Sequence, residues 1–227
     1  MRVDELDSLR AIALGMMLVS NFVTDLNHFD LMEVNKGDSW WWLSRATAFL
    51  FVSISGFSYY LAHRKEYDFM QTFGRTKRLI FWAFVITIIT YIFEPNAYVR
   101  FGVLHLLALA SIVAFPFARK PQFAFFVGLV LLFIPLSSNP NLVWFGLRET
   151  GFFAVDYFPL NPWLGIFFLS LGVSSLVYPE GKPLTKIKWP DRWLWFGRNT
   201  LVIYVVHQPI LIGLLLLSGQ ISMDQLI

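Results

Sequence analysis

The chain has 227 residues, 56% of them hydrophobic, 18% aromatic and 15% charged, against about 25% charged in a soluble domain. That composition marks a membrane protein. The absence of cysteine excludes disulfides, thiolate metal sites and a cysteine nucleophile. With a net charge of only +3, and bases lying beside hydrophobic runs, the basic residues report membrane topology rather than nucleic-acid binding.

Seven hydrophobic runs predict spans over roughly 9–27, 43–62, 79–94, 101–118, 122–137, 161–178 and 194–217. Asp4, Glu5 and Asp7 occupy the start, so no cleavable signal peptide is expected. The first run, "SLRAIALGMMLVSNFVTDLNHFD", is interrupted by Arg10, Asn21, Asp25 and His28. On a 3.6-residue helix these return to within about 60° of Arg10 and form one face. Lipid disfavours such groups by several kcal/mol, so the stripe is expected to face protein or a water-filled cavity. A line of polar residues across the membrane suits a long ligand.

The loop "HRKEYDFMQTFGRTKR" brings Arg75 and Arg78 to the mouth of the third span. Such a cluster reads as a topology signal or an anionic-lipid contact, or as a phosphate clamp, because arginine presents paired donors to phosphate oxygens. "EPNAYVR" makes a tight hairpin to the fourth span, whose "FGVLHLLALAS" sets His105 in an apolar helix. Pro135 ends the fifth span, and 138–162 reads as a long outer loop that folds back on the bundle. In the last span, "FGRNTLVIYVVHQP" introduces Asn199, Tyr204 and His207 into an otherwise apolar run, followed by Pro209. No repeat, low-complexity stretch or soluble domain appears. The expectation is an all-α integral membrane protein: one domain, 1–227, a bundle of about seven transmembrane helices.

Of the 18 lysines and arginines, only Lys36, Arg45, Arg100 and Arg148 fall outside if the N-terminus is cytoplasmic. That bias sets the N-terminus inside. Asn21, Asp25 and His28 then lie toward the outer surface with His105, Arg10 lies at the inner surface, and His63 borders the inner loop as an interfacial side chain.

Each polar group has a structural alternative. Arg10 could snorkel to the surface, Asn21 and Asp25 could bridge helices, and His28 could be a loop residue. A buried histidine such as His105 is commonly a satisfied structural donor. The functional reading gives His28 the acid–base role, with Asp25 three residues away to orient it. Asn199 and His207 are candidates because polar groups within a span are functional by default.

"LDSLRAIALGMMLVSNFVTDLNHF", "FLFVSISGFSYYLAHR", "FGVLHLLALAS", "DYFPLNPWLGIFFLSLG" and "GRNTLVIYVVHQPIL" occur in this order. In this the chain resembles small prokaryotic relatives of heparan-α-glucosaminide N-acetyltransferase, within the wider transmembrane acyltransferase superfamily that includes the acyltransferase type three proteins. The resemblance covers nearly the whole chain. It implies a helical bundle that takes an acetyl or short acyl group from cytoplasmic acyl-CoA and transfers it to an amino or hydroxyl group of a sugar or glycoconjugate on the outer side.

Type three proteins carry Arg, ten residues, then His in the first span. Arg10 matches the Arg, while the eleventh position is Asn21, as in the heparan-acetylating enzyme. His28 is the nearest match to that enzyme's catalytic histidine, "RTKR" matches the Arg-x-x-Arg motif at Arg75 and Arg78, and Ala11 replaces a usual Gly. The resemblance thus implies a catalytic set of His28, Asn21 and Asp25, with His105 the rival base. It implies donor-binding arginines at Arg10, Arg75 and Arg78, to which the polar groups of the last span add His207 and Asn199, with acetyl-CoA or another acyl-CoA as co-substrate and no metal. Seven spans are fewer than in larger members, so a homodimer could be needed to close the cavity. Membrane lipid is a partner and nucleic acid is not. A membrane transporter of a small polar or sugar-lipid substrate is the alternative, although it would usually show paired broken helices or repeats.

Overall fold

The computed structural model describes residues 3–64, 67–134, 156–222 and 224, and among these the chain is helical throughout, with eight α-helices and no strand. They are α1 (Asp4–His28), α2 (Ser39–His63), α3 (Phe69–Phe93), α4 (Val103–Val113), α5 (Pro121–Phe133), α6 (Leu160–Val177), α7 (Asp191–Arg198) and α8 (Thr200–Leu217), with a 3₁₀ turn at Phe115–Phe117. By length and composition α1, α3, α6 and α8 could each cross a membrane. α2 is as long as α1, at 25 residues, but its serines, tryptophans and tyrosines dilute its apolarity. α4 and α5 are shorter, at 11 and 13 residues. Each of the seven expected spans thus overlaps helix among the described residues, and four helices have the length and apolarity of a crossing.

Local chemistry explains where boundaries differ from those expected. α3 begins ten residues before the third predicted span because the Asp68 side chain caps it, accepting from Met70 N–H at 2.8 Å. Arg75 and Arg78 therefore lie on a helix rather than in a loop. The seventh span is two helices, broken at Asn199, whose φ of −110° and ψ of 21° leave the helical region. α1 ends in a Schellman turn: Leu31 N–H reaches Leu26 C=O at 2.8 Å and Asp30 N–H reaches Asn27 C=O at 3.3 Å. Asp30 takes the left-handed position with φ 56°, which a short polar side chain tolerates. Residues 135–155, most of the expected outer loop, lie outside the described residues.

The chain forms two compact units. One spans Val52–Leu184. In it α5 and α6 pack antiparallel at close range, since a Cβ on Gly128 would meet Leu169 N at 2.6 Å and one on Gly172 would meet Phe125 Cβ at 2.5 Å. The second half of α2 meets α6 at Gly56, where a Cβ would come within 2.5 Å of Phe167 O. Phe167, Phe168, Leu106 and Leu171 are its largest fully buried apolar side chains.

The other unit comprises Val3–Phe51 and Thr185–Ile227. Here α1 packs on α7 and α8. Ser8 meets Trp193, Asn21 meets His207 and Asp25 meets Gln208, so the numbers rise together and the two strands of helix run parallel. Acids in the first turn of α1 complement its dipole, and its buried face carries Leu6, Ala13, Leu14, Met17 and Val23.

Candidate functional site

The polar stripe of α1 is resolved by its partners within this second unit. At the lower end Asp7 is 2% exposed and is shared by two arginines, Arg10 through Nη1 and Arg198 through Nε at 3.4 Å. Arg198 also reaches Asp4 at 3.3 Å. A buried carboxylate persists when it is paired in this way. Arg10 is thus anchored by the acid three residues earlier. The backbone of α7 comes so close to α1 here that any side chain at Gly197 would strike the Asp7 carbonyl. Trp193 Nε1 donates to Ser8 Oγ at 2.8 Å, which seals the contact.

Higher on the same face, Asn21 Nδ2 and His207 Nε2 lie 2.6 Å apart. His207 Nδ1 is 2.5 Å from the Tyr204 carbonyl oxygen. A carbonyl oxygen only accepts, so Nδ1 carries the proton and Nε2 presents its lone pair to the Asn21 amide. The imidazole is neutral and fixed in one tautomer. It holds one of the two amide protons of Asn21, and the second proton is the group that can meet a ligand.

One turn further, Gln208 Nε2 donates to Asp25 Oδ1 at 2.6 Å. Asp25 is 6% exposed, and its other oxygen, Oδ2, is buried without a hydrogen-bond partner among the described residues. Pro209 follows at once inside α8 and removes the N–H that would have met the Val205 carbonyl. Two consecutive polar side chains and a weakened helical ladder thus coincide where α8 faces α1. His28 is exposed at the end of α1, its ring edge-on to Phe29 at 5.1 Å.

The remaining candidates have other surroundings. In the Val52–Leu184 unit, His105 sits in the first turn of α4, where Nδ1 accepts from Gly102 N–H at 3.2 Å. Its Nε2 is 3.3 Å from Thr87 Oγ1, whose hydroxyl donates to Val99 C=O at 2.8 Å. Both ring nitrogens are thereby engaged in ordering the start of α4. Asp156 joins them, its Oδ2 accepting from Val103 N–H at 3.2 Å. Arg75 and Arg78 are exposed one turn apart on α3, and Arg75 touches Gln71 Oε1 at 3.3 Å. Asn199 Nδ2 donates to the Trp195 carbonyl at 2.8 Å and closes the end of α7. His63, expected at the membrane interface, is instead buried at 4% exposure between the Tyr59 carbonyl and Thr72 Oγ1.

Two participants escaped sequence reasoning. Gln208 is adjacent to His207, about 100° round the helix, and only the placement of α8 beside α1 reveals its role. Asp7 was visible as an acid three residues before Arg10, a spacing that favours pairing. Among the described residues no group of His, Cys, Asp and Glu is arranged to hold a metal ion.

A family model described as "Heparan-alpha-glucosaminide N-acetyltransferase, catalytic" matches residues 2–209. No curated protein and no solved structure matches the chain.

Proposed function

The chain belongs to the family of heparan-α-glucosaminide N-acetyltransferase catalytic domains, and from that premise we propose that it is a membrane-bound, acyl-CoA-dependent acyltransferase. It takes an acetyl or short acyl group from acyl-CoA on the cytoplasmic side and delivers it to an amino or hydroxyl group of a sugar or glycoconjugate on the outer side of the cell membrane. The observation that carries this reading is the Asn21–His207 pair, an amide held by a neutral imidazole inside a helical unit. Such an amide is suited to donate its second proton to the oxyanion that forms when a thioester carbonyl is attacked.

Roles follow from the chemistry of each group. Asn21 stabilises the oxyanion, and His207, by fixing the amide, is the residue that positions it. The acceptor's proton leaves through the outer end of the stripe, Asp25 and then His28, the exposed imidazole being the group that exchanges with solvent. Arg75 and Arg78, one turn apart and exposed, form a basic pair fit for the phosphates of the donor, while Arg10 supplies a fixed cation on α1. His105 has both nitrogens committed, which favours His28 over it as the acid–base histidine. The parallel run of α1 and α8 supports two spans that cross in the same direction; support for an inside N-terminus comes from the bias of lysine and arginine in the sequence.

The direct test is purified protein in detergent or vesicles with acetyl-CoA and a panel of amino sugars and glycolipids. Release of free thiol only when an acceptor is present is the expected result. Movement of an acceptor across vesicles with no thiol released would turn the reading toward a transporter.

A further inference from the structure

We propose that Asp25 is the seat of the acceptor's nucleophile and that Gln208 is the residue that positions it; this rests on the acyltransferase reading above. Asp25 is 6% exposed, yet among the described residues only one of its two carboxylate oxygens has a hydrogen-bond partner. Buried polar atoms are almost always hydrogen-bonded in folded proteins, and an exception marks a place where a ligand, a water or a proton completes the set. Oδ2 is an acceptor, so the group that completes it is an N–H or O–H donor. The nucleophile of an acyl transfer is such a group.

The spacing fits the reaction. Asp25 is four residues beyond Asn21, about 6 Å along the helix axis and on the same face. A single tetrahedral carbon bridges that interval when each side chain makes a contact of about 3 Å, Asn21 to the oxyanion and Asp25 to the incoming nucleophile. Gln208 fixes the plane of the carboxylate by holding Oδ1 at 2.6 Å, and this determines where Oδ2 points. The adjacent residue of α8, His207, fixes Asn21 in the same way. Two neighbouring side chains of one helix thus set the two contacts that the transition state requires.

The step balances without any further reactant. The acceptor's N–H or O–H proton passes to Asp25 Oδ2 as its nitrogen or oxygen forms a bond to the acyl carbon. The carbon–sulfur bond then breaks, and CoA leaves as the thiolate. His28, exposed one turn beyond Asp25, takes the proton from the carboxyl and gives it to solvent, while the thiolate takes one proton from solvent. The carboxylate is restored.

The test uses the full-length protein with acetyl-CoA and whichever acceptor of the panel gives the fastest thiol release. Asp25→Asn is expected to lower kcat at least 100-fold with the KM for acetyl-CoA unchanged. Gln208→Leu is expected to raise the acceptor KM about tenfold and leave the donor KM alone. The double variant Asp25→Asn with Gln208→Glu rebuilds an amide–carboxylate bridge between α1 and α8 but moves the charge to α8. Its thermal midpoint should return toward wild type while its transfer rate stays at the Asp25→Asn level. A double variant that regains the wild-type rate would reduce the pair to a helix bridge and overturn the proposal. So would a folded Asp25→Asn protein that transfers within threefold of wild type. Wild-type protein that releases no thiol with any acceptor would instead remove the acyltransferase reading, and the proposal with it.

Discussion

His207 and His105 are both histidines in apolar helices, yet their neighbourhoods differ in kind. His105 spends one nitrogen on the Gly102 N–H at the start of its own helix and the other on Thr87, which passes the contact on to the Val99 carbonyl. Its bonds end on backbone, and every one of them orders the beginning of α4. His207 spends one nitrogen on a local carbonyl and turns the other to Asn21, a side chain with hydrogen-bonding capacity left over. One turn away Asp25 keeps an oxygen without a hydrogen-bond partner among the described residues. A polar group whose chain of bonds closes on backbone serves the fold, whereas one whose chain ends in unspent donors and acceptors is equipped to meet something else.

Substitution can break or sharpen that contrast. The largest effect is expected for Asn21→Ala, which removes the proposed oxyanion donor and should lower kcat by roughly 10²–10³ while acyl-CoA still binds. A rate near wild type would return Asn21 to the helix-bridging role. His207→Ala should be milder, about tenfold in kcat, because the amide remains but is no longer held. His207→Gln, whose side-chain oxygen can accept from Asn21, should recover part of the loss.

For His105→Ala the contrast predicts a change of a different type. Loss of its cap should cost about 1–2 kcal/mol of stability, read as a lower thermal midpoint, with kcat of the folded protein within about twofold. A collapsed kcat at an unchanged midpoint would transfer the catalytic role to α4 and end the comparison. The smallest effects belong to Arg75→Ala and Arg78→Ala. Each should raise the KM for acyl-CoA several-fold with kcat unchanged, since phosphate contacts are made equally in ground and transition states. Equal donor affinity in both variants would leave the two arginines as topology signals.

The amphipathic logic of α1 was legible from residue spacing, because a 3.6-residue period needs no knowledge of neighbours. Boundaries were less so: Asp68 reads as a loop residue until its carboxylate is seen on Met70 N–H, and Asn199 lies inside an apolar run that hydropathy alone treats as continuous. For the site, Asn21 and His207 were each recognisable as polar residues in a span, but nothing in the order of the chain says that they touch. That fact depends on which helix packs beside α1, a long-range outcome of close approaches such as Gly197 against Asp7. Gln208 was lost for the same reason. Glu149, a further carboxylate of the expected outer loop, lies outside the described residues.

The Asn21–His207 and Asp25–Gln208 bonds join residues 186 and 183 positions apart. A chain made from its N-terminus therefore delivers α1 to the membrane long before its partners exist. Until α8 emerges, an amide and a carboxylate must wait beside lipid or within the insertion machinery, at a cost of several kcal/mol. Completion of α8 is thus the event that both buries these groups and brings them together. A chain that stops short of α8 would carry exposed polar groups on α1, the kind of defect that quality-control proteases find, so unfinished copies would be removed.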